Sequence, residues 1–443
     1  MNASIEHNRA GALAQLTGDR APSMPWGIAS VCSAHPLVIE AALKRGFAED
    51  MPVLIEATCN QVNHEGGYTG MTPADFRRFV EEIAGNIGFP PNRIMFGGDH
   101  LGPNPWKVLP AEEALEKAES MVAAYVEAGF EKIHLDTSMG CAGEPAALPN
   151  ELTASRAARL ARVAEDAALR SGLRPPVYVI GTEVPPPGGA THALDTLEVT
   201  RPDAATQTLE VHAAAFAKAG IEAALERVIG IVVQPGVEFG NENVAIYRPE
   251  RAKELSGALT QMPGLVFEAH STDYQPVEAL SALVDDGFAI LKVGPGLTFA
   301  LREALYGLDA IAAILGGGPQ PDSLTATMET IMLESPGHWA SHYSGSAGEQ
   351  QLQRHFSYSD RIRYYWPDPR AEKAIARLFT RLDGDIPETL ISQHLGRIYP
   401  GVAARKVAPR PRALCIAAID AALAPYYAAT RAGNSTGETK WHQ

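Results

Sequence analysis

Eight short apolar runs, each followed by a stretch of helical character, succeed one another between residues 27 and 315. No other feature of the chain limits its fold as tightly. The runs occupy residues 27–32, 52–57, 93–96, 132–136, 177–183, 228–234, 265–270 and 288–293. They are continuous rather than alternating in polarity, the pattern of strands buried on both faces of a parallel sheet. Helices are expected from residue 36 to 47, from 73 onward, and at about 111–128, 153–170, 202–219, 249–260, 276–286 and 298–315. The second helix has an explicit start, with Thr72 as N-cap, Pro73 in the first turn and Asp75 at N3, a pairing that satisfies orphan amides reciprocally. Eight strictly alternating units over the roughly 250–300 residues such a fold occupies predict an α/β, (β/α)8 TIM barrel. An open doubly wound sheet is the alternative. The chain then divides into an N-terminal helix and linker (1–25), the barrel (26–316), a helical C-terminal extension packed on it (317–430) and a polar tail (431–443).

Composition narrows the function. The 443 residues are 46% hydrophobic with a formal net charge of −15, which suits a large buried core and argues against nucleic acid as a partner. Cys32, Cys59, Cys141 and Cys415 form no Cys-x-x-Cys pair, so neither a disulfide framework nor a cysteine zinc site is indicated and a cytoplasmic location fits. The N-terminus lacks the charged-then-apolar order of a signal peptide. The alanine-rich stretch 413–429 is interrupted by Asp420 and reads as a buried or amphipathic helix, so no membrane is expected as a partner.

In such a barrel the chemistry sits at the C-terminal ends of the strands. Those positions hold Ser33 and His35, then Glu56, then Asp99 and His100, then His134, Asp136 and Ser138. The later strands add Glu183, Gln234 and Glu238, then Glu268, His270, Ser271 and Asp273, and last Lys292 before Gly294-Pro295-Gly296. A buried strand does not end in Asp99-His100 for packing reasons, because both groups cost free energy unless paired or bound. Histidines with a glutamate on one rim form the ligand set of a catalytic divalent metal, and the remaining carboxylates can move protons. His100, Glu183 and His270 are the expected ligands, with Glu268 undecided against His270 because alternate strand residues share a face. His134 reads as a packing residue within its strand. Glu56 could instead orient a ligand, and Lys292 could pair with a rim carboxylate. Gly294 and Gly296 sit where barrels often seat phosphate; a plain tight turn is the alternative. In the extension, the run from Ser357 to Trp366 places Arg361 and Arg363 among aromatics and hydroxyls, either a phosphate clamp or an anchor on the barrel. The Gly66–Gly70 stretch reads as a flexible lid.

Long segments then carry a resemblance: VCSAHPLVIEAAL, LIEATCNQVNHEGGYTGMTPADFR, GGDHLGPNPW, YVIGTEVPPPGGA, VVQPGVEF, FEAHSTDYQ, LKVGPGLTFALREAL and YSDRIRYYWP. Over nearly the whole chain it resembles the GatZ/KbaZ family of tagatose-bisphosphate aldolase accessory subunits, relatives of the class II zinc-dependent aldolases. Asp99-His100 resembles the catalytic aspartate and zinc histidine of those aldolases. Glu183 with Gly188-Gly189 resembles their strand-five motif, and Asp136-Thr137-Ser138 their strand-four Asp-Gly-Ser. Two departures imply a rebuilt metal site: Gln234-Pro235-Gly236 stands where a zinc histidine is placed, and His270 is displaced after Glu268.

Three functions attach to such sequences: an aldolase-stabilising subunit, a tagatose-6-phosphate kinase, and a D-tagatose 6-phosphate 4-epimerase of galactitol and tagatose catabolism. No G-x-x-x-x-G-K-[ST] loop is present, which removes the kinase on chemical grounds. The epimerase fits the residues best, through opening and re-forming of the C3–C4 bond. The resemblance thus implies a divalent metal, zinc first and manganese as the other option. Asp99 and Glu56 would be the leading proton-transfer groups, with Asp136 and Asp273 behind them. Lys292, Gly294, Gly296, Arg361, Ser357, Gln234 and Ser33 would contact the sugar phosphate. A class II aldolase chain and a second copy of this chain are the protein partners it allows.

Overall fold

The computed structural model describes residues 27–182, 197–318 and 320–431, together with Leu13 and Leu16. Each apolar run forms a strand: β1 (Ile28–Cys32), β2 (Val53–Thr58), β3 (Ile94–Leu101), β4 (Lys132–Leu135), β5 (Val177–Ile180), β6 (Val228–Val233), β7 (Val266–Ala269) and β8 (Ile290–Val293). All pair in parallel with their chain neighbours, and β8 returns to β1 to close the barrel. The open sheet is thereby excluded. A helix follows each strand: α1 (Pro36–Ala48), α2 (Pro73–Ile87), α3 (Ala111–Glu127), α4 (Asn150–Ser171), α5 (Pro202–Ala219), α6 (Pro249–Ala258), α7 (Val277–Asp285) and α8 (Pro295–Leu315). Thr72 and Asp75 form the reciprocal capping box at the start of α2.

Strand β3 departs from expectation. It runs on through the glycine pair to Leu101, with its register against β4 shifting between Gly98 and Leu101. His100 stands inside this irregularity with φ of 49°, a left-handed conformation that a non-glycine residue holds at a cost of roughly 1–3 kcal/mol. Such a bulge re-aims side chains at a barrel rim. Gly97 is required because a Cβ there would lie 2.7 Å from Glu56 Cγ.

The barrel interior is layered. Leu54, Met95, Val179, Val266 and Ile290 fill the lower part with apolar side chains. Two residues further along β2, β7 and β8 the inward positions are charged: Glu56, Glu268 and Lys292. Lys132 Nζ lies 2.6 Å from Glu56 Oε1 and 2.7 Å from Glu268 Oε2. Lys292 pairs with Glu56 and lies 2.6 Å from Asp99 Oδ1. All five groups are buried, so their mutual pairing offsets a desolvation cost that none could bear alone.

The extension is helical among the described residues, as the absence of strand patterning predicts. Its last helix, Pro411–Thr430, packs on α1, α7 and α8. It is long and apolar enough to cross a membrane by length and composition, but half of its most apolar window is buried in this structure. Asp420 accepts from Arg45 Nε at 2.7 Å, and Arg412 Nη1 donates to Glu40 Oε1 at 2.8 Å. Tyr426 donates its hydroxyl to the Thr272 carbonyl at 2.6 Å, pinning the loop after β7.

Removing one ammonium from the charged layer should be costly. Lys132→Met is expected to destabilise the fold by roughly 3–5 kcal/mol, because it leaves buried carboxylates unpaired. The urea midpoint measures the loss, and adding Glu268→Met should recover part of it. A midpoint unchanged by Lys132→Met would show that the layer is not held by this lysine.

Candidate active site

A cavity opens at the C-terminal ends of the strands, with about 630 Å3 of space including its mouth. Asp99, His100, His270 and Lys292 line it from the barrel, and Arg363 and Tyr364 line it from the extension. Three imidazoles meet here. The ring centroids of His100, His134 and His270 are 4.8–5.1 Å apart. With Asp99 they offer four ligand atoms within 4.8 Å of one another, all from buried residues.

The surroundings orient these rings. His100 Nδ1 lies 2.8 Å from Asp136 Oδ2, and Asp136 is held by the Ser138 hydroxyl at 3.0 Å. His270 Nε2 lies 2.9 Å from Glu268 Oε1. His134 Nδ1 lies 3.1 Å from the His100 amide nitrogen and 3.0 Å from Asp99 Oδ1, and the tautomer that donates to Asp99 leaves the ring's lone pair on Nε2. A carboxylate behind a ligating imidazole fixes its tautomer and raises its basicity. His134 Nε2 is buried and has no hydrogen-bond partner. Such an atom costs free energy unless something binds it.

Electrostatics point the same way. Burial alone would raise the Asp99 carboxyl, but the charges of His100 and Lys292 and the contact with His134 outweigh it and hold Asp99 well below the usual carboxylate range. Burial pushes His270 down to about 3 against its bond to Glu268, so the ring is neutral and keeps a lone pair. Burial would also lower His100, but Asp99 and Asp136 more than reverse this and raise it. Glu56, Asp99, Asp136 and Glu268 are four buried carboxylates served by two lysines, Lys132 and Lys292. The donor set, the orphaned nitrogen and the excess of carboxylate all fit a divalent cation.

His134, read from the sequence as a packing residue, stands instead in the imidazole cluster. Lys132, His134 and Asp136 alternate along β4 and its end, so one period-two count brings all three to the inner face. Glu268 and Glu56 serve His270 and the lysines rather than lining the cavity. Glu183 lies outside the described residues.

Several expected substrate contacts are placed otherwise. Gln234 Oε1 accepts from the amides of Gly236 and Val237 at 2.8 and 2.9 Å, closing its own turn. Ser357 donates to Asn241 Oδ1 at 2.9 Å. Arg361 Nε donates to the His338 carbonyl. None of these three lines the cavity. Ser33 lines a neighbouring, more apolar cavity. Gly294 and Gly296 do line or flank the site, but their amides already donate to Asp273 Oδ1 at 2.9 and 2.7 Å. Lys292 is in the cavity with its charge balanced by Glu56 and Asp99. The Gly66–Gly70 loop is tied rather than loose. Tyr68 donates its amide to the Asn60 carbonyl at 3.0 Å, Thr69 Oγ1 donates to Gln61 O at 2.7 Å, and a Cβ on Gly67 would lie 2.4 Å from that same carbonyl oxygen.

Residues 13–431 match the family model described as D-tagatose-1,6-bisphosphate aldolase subunit GatZ/KbaZ-like. The chain is 56% identical over 422 residues to a D-tagatose 6-phosphate 4-epimerase of Agrobacterium fabrum, covering 95% of this chain and 99% of that one. A crystal structure from Sinorhizobium meliloti 1021, described as a probable tagatose 6 phosphate kinase, superposes with a TM-score of 0.84 at 62% identity, covering 91% of this chain and all of the other.

Two outcomes follow from this geometry. His134→Ala is expected to lower bound zinc per chain, read by elemental analysis, with the circular dichroism spectrum retained; full occupancy would remove His134 from the ligand set. The second concerns Asp273, which burial pushes up to about 6 despite its two amide bonds. A raised value means that the fold favours the protonated carboxyl. Its stabilising contribution is full below the ordinary value near 4 and is lost as pH rises through about 6. Asp273→Asn keeps an oxygen for both amides and does not ionise. The melting temperature of the variant relative to the parent should therefore rise between about pH 4 and about pH 8; a constant difference would contradict the assignment.

Proposed function

Because the chain belongs to the D-tagatose-1,6-bisphosphate aldolase subunit GatZ/KbaZ-like family, we propose that it is a metal-dependent 4-epimerase interconverting D-tagatose 6-phosphate and D-fructose 6-phosphate. The observation that carries this reading is the convergence of His100, His134, His270 and Asp99 on one buried point of the barrel mouth. The 56% identical epimerase supports the substrate. A structural subunit has no need of three converging imidazoles, one with an unsatisfied nitrogen.

His100, His134 and His270 would hold the metal, zinc first, with Glu183 kept in the ligand set on sequence grounds. A metal bound by these residues would supply a Lewis acid for the C2 carbonyl. Asp99, kept ionised by His100 and Lys292, takes the proton of the C4 hydroxyl. The C3–C4 bond then breaks, its electron pair passes toward the C2 carbonyl as an enediolate, and C4 becomes an aldehyde. Turning the aldehyde presents its other face, and the bond re-forms with C4 inverted. Asp273, which lines the same cavity and holds a proton up to about pH 6, returns a proton to the C4 oxygen from the other side. The two carboxyls exchange that proton with solvent between turnovers. Asp136 and Glu268 orient His100 and His270, and Glu56 fixes Lys292. Tyr68, Arg363 and Tyr364 wall the cavity and would help keep the cleaved halves together.

The test uses the purified chain with D-tagatose 6-phosphate, followed by coupled detection of fructose 6-phosphate after metal stripping and after adding back zinc or manganese. Metal-dependent product without free triose is expected. No product under any metal, with stabilisation of a class II aldolase chain instead, would favour the subunit role that the family description also names. Asp99→Asn is expected to lower kcat by roughly 100- to 10,000-fold while bound metal and melting temperature are retained; near-normal turnover would remove Asp99 from the mechanism.

A further inference from the structure

Lys292 meets the cavity with its charge already balanced by Glu56 and Asp99. Arg363 does not: among the described residues, no carboxylate lies within ion-pairing distance of its guanidinium, although it lines the same cavity as His100 and His270. Its surroundings hold it in one plane. Nη1 donates to the carbonyls of Ser359 and Asp360, the latter at 3.0 Å, and Nη2 donates to the Tyr364 hydroxyl at 3.1 Å. The guanidinium carbon sits 4.5 Å from the centre of the Tyr364 ring, and Tyr68 packs edge-on to that ring at 4.9 Å. Among the described residues, this leaves the Nε hydrogen and one Nη2 hydrogen without an acceptor.

The turn that carries Arg363 is itself fastened to the barrel. Asp360 has φ of 46° and accepts from the Thr298 hydroxyl at 2.6 Å, in the first turn of α8. Tyr274, in the loop after β7, donates to the Tyr358 carbonyl at 2.6 Å. The extension thus presents a rigid cation, with no contact ion pair among the described residues, to the mouth of the barrel, where the strand-end amides expected to take a phosphate are committed to Asp273.

We infer that Arg363, supplied by the C-terminal extension and not by the barrel, is the seat of the substrate's phosphate monoester, with the Asn60 amide and Tyr68 hydroxyl of the same cavity wall as neutral partners. A phosphate dianion needs a charged fork and further donors, which an arginine with two open hydrogens beside an amide and a phenol provides. The inference rests on the sugar-phosphate reading above. It assigns the two ends of the substrate to different parts of the chain: the reacting carbons to the imidazoles and the phosphate to the extension.

The experiment separates this inference from the epimerase reading. Inorganic phosphate is titrated into the metal-loaded parent and into Arg363→Gln by calorimetry. Saturable binding by the parent, weakened roughly 10- to 100-fold in the variant, is expected for the loss of charged hydrogen bonds. With D-tagatose 6-phosphate, the same variant should raise KM by a similar factor and change kcat far less, and its preference for the phosphorylated sugar over free D-tagatose should collapse. Arg363→Lys keeps the charge without the fork and should fall between; it also serves if Arg363→Gln does not fold. Equal phosphate binding by parent and variant, no binding by the parent, or a loss confined to kcat would each overturn the assignment. Absence of epimerase turnover in the parent, with phosphate binding intact and dependent on Arg363, would instead fault the reaction and leave the phosphate seat standing.

Discussion

Two buried lysines hold the mouth of this barrel together. Lys132 on β4 and Lys292 on β8 reach inward from opposite sides and meet carboxylates from β2, β3 and β7. Backbone pairing joins each strand only to its neighbours, whereas this layer joins strands across the interior. Its members are buried, so each depends on the others for neutralisation, and the geometry has little freedom to drift. The imidazole cluster stands directly above it. Glu268 binds Lys132 below and His270 beside it; Asp99 binds Lys292 and contacts His134. The charged layer thereby sets both the direction of the rings and the ionisation of Asp99.

This dependence explains why a barrel interior, ordinarily filled by branched apolar side chains, is apolar only in its lower part here. A layer of aliphatic residues beneath the cluster would pack well but would leave Asp99 and Glu268 without cations. The free energy spent on desolvating five charges secures a site whose donors are oriented before any ligand arrives. The bulge in β3 has the same logic. Local backbone strain at His100 is tolerated because Asp136, His134 and the glycine at 97 leave the chain no better course.

The extension belongs to the same design. Tyr426, Tyr274 and Thr298 join it to the loops after β7 and to the start of α8. Through those ties it brings Arg363 and Tyr364 over the cavity. Tyr68 arrives from the barrel side on a loop that is fastened by its own amide and hydroxyl bonds. The cavity is therefore walled by two regions of the chain far apart in sequence.

Much of this was legible in the sequence because hydrophobic periodicity reports burial directly. Continuous apolar runs alternating with capped helices left a closed parallel barrel as the economical solution, and the rule that strand ends carry chemistry singled out Asp99, His100, His270 and Lys292. Alternation along β4 also contained His134, although an isolated histidine in an apolar run does not reveal which way it points. What the sequence could not determine is which polar group is already spoken for. Gln234, Ser357, Gly294 and Gly296 all have the right chemistry for a substrate contact, yet nearby groups consume their hydrogen bonds. Arg363, two residues from Arg361 and chemically identical, lines the cavity where Arg361 does not. That difference is a matter of angles and of pairings between residues hundreds of positions apart, and only the folded chain, where desolvation makes every unpaired charge costly, decides it.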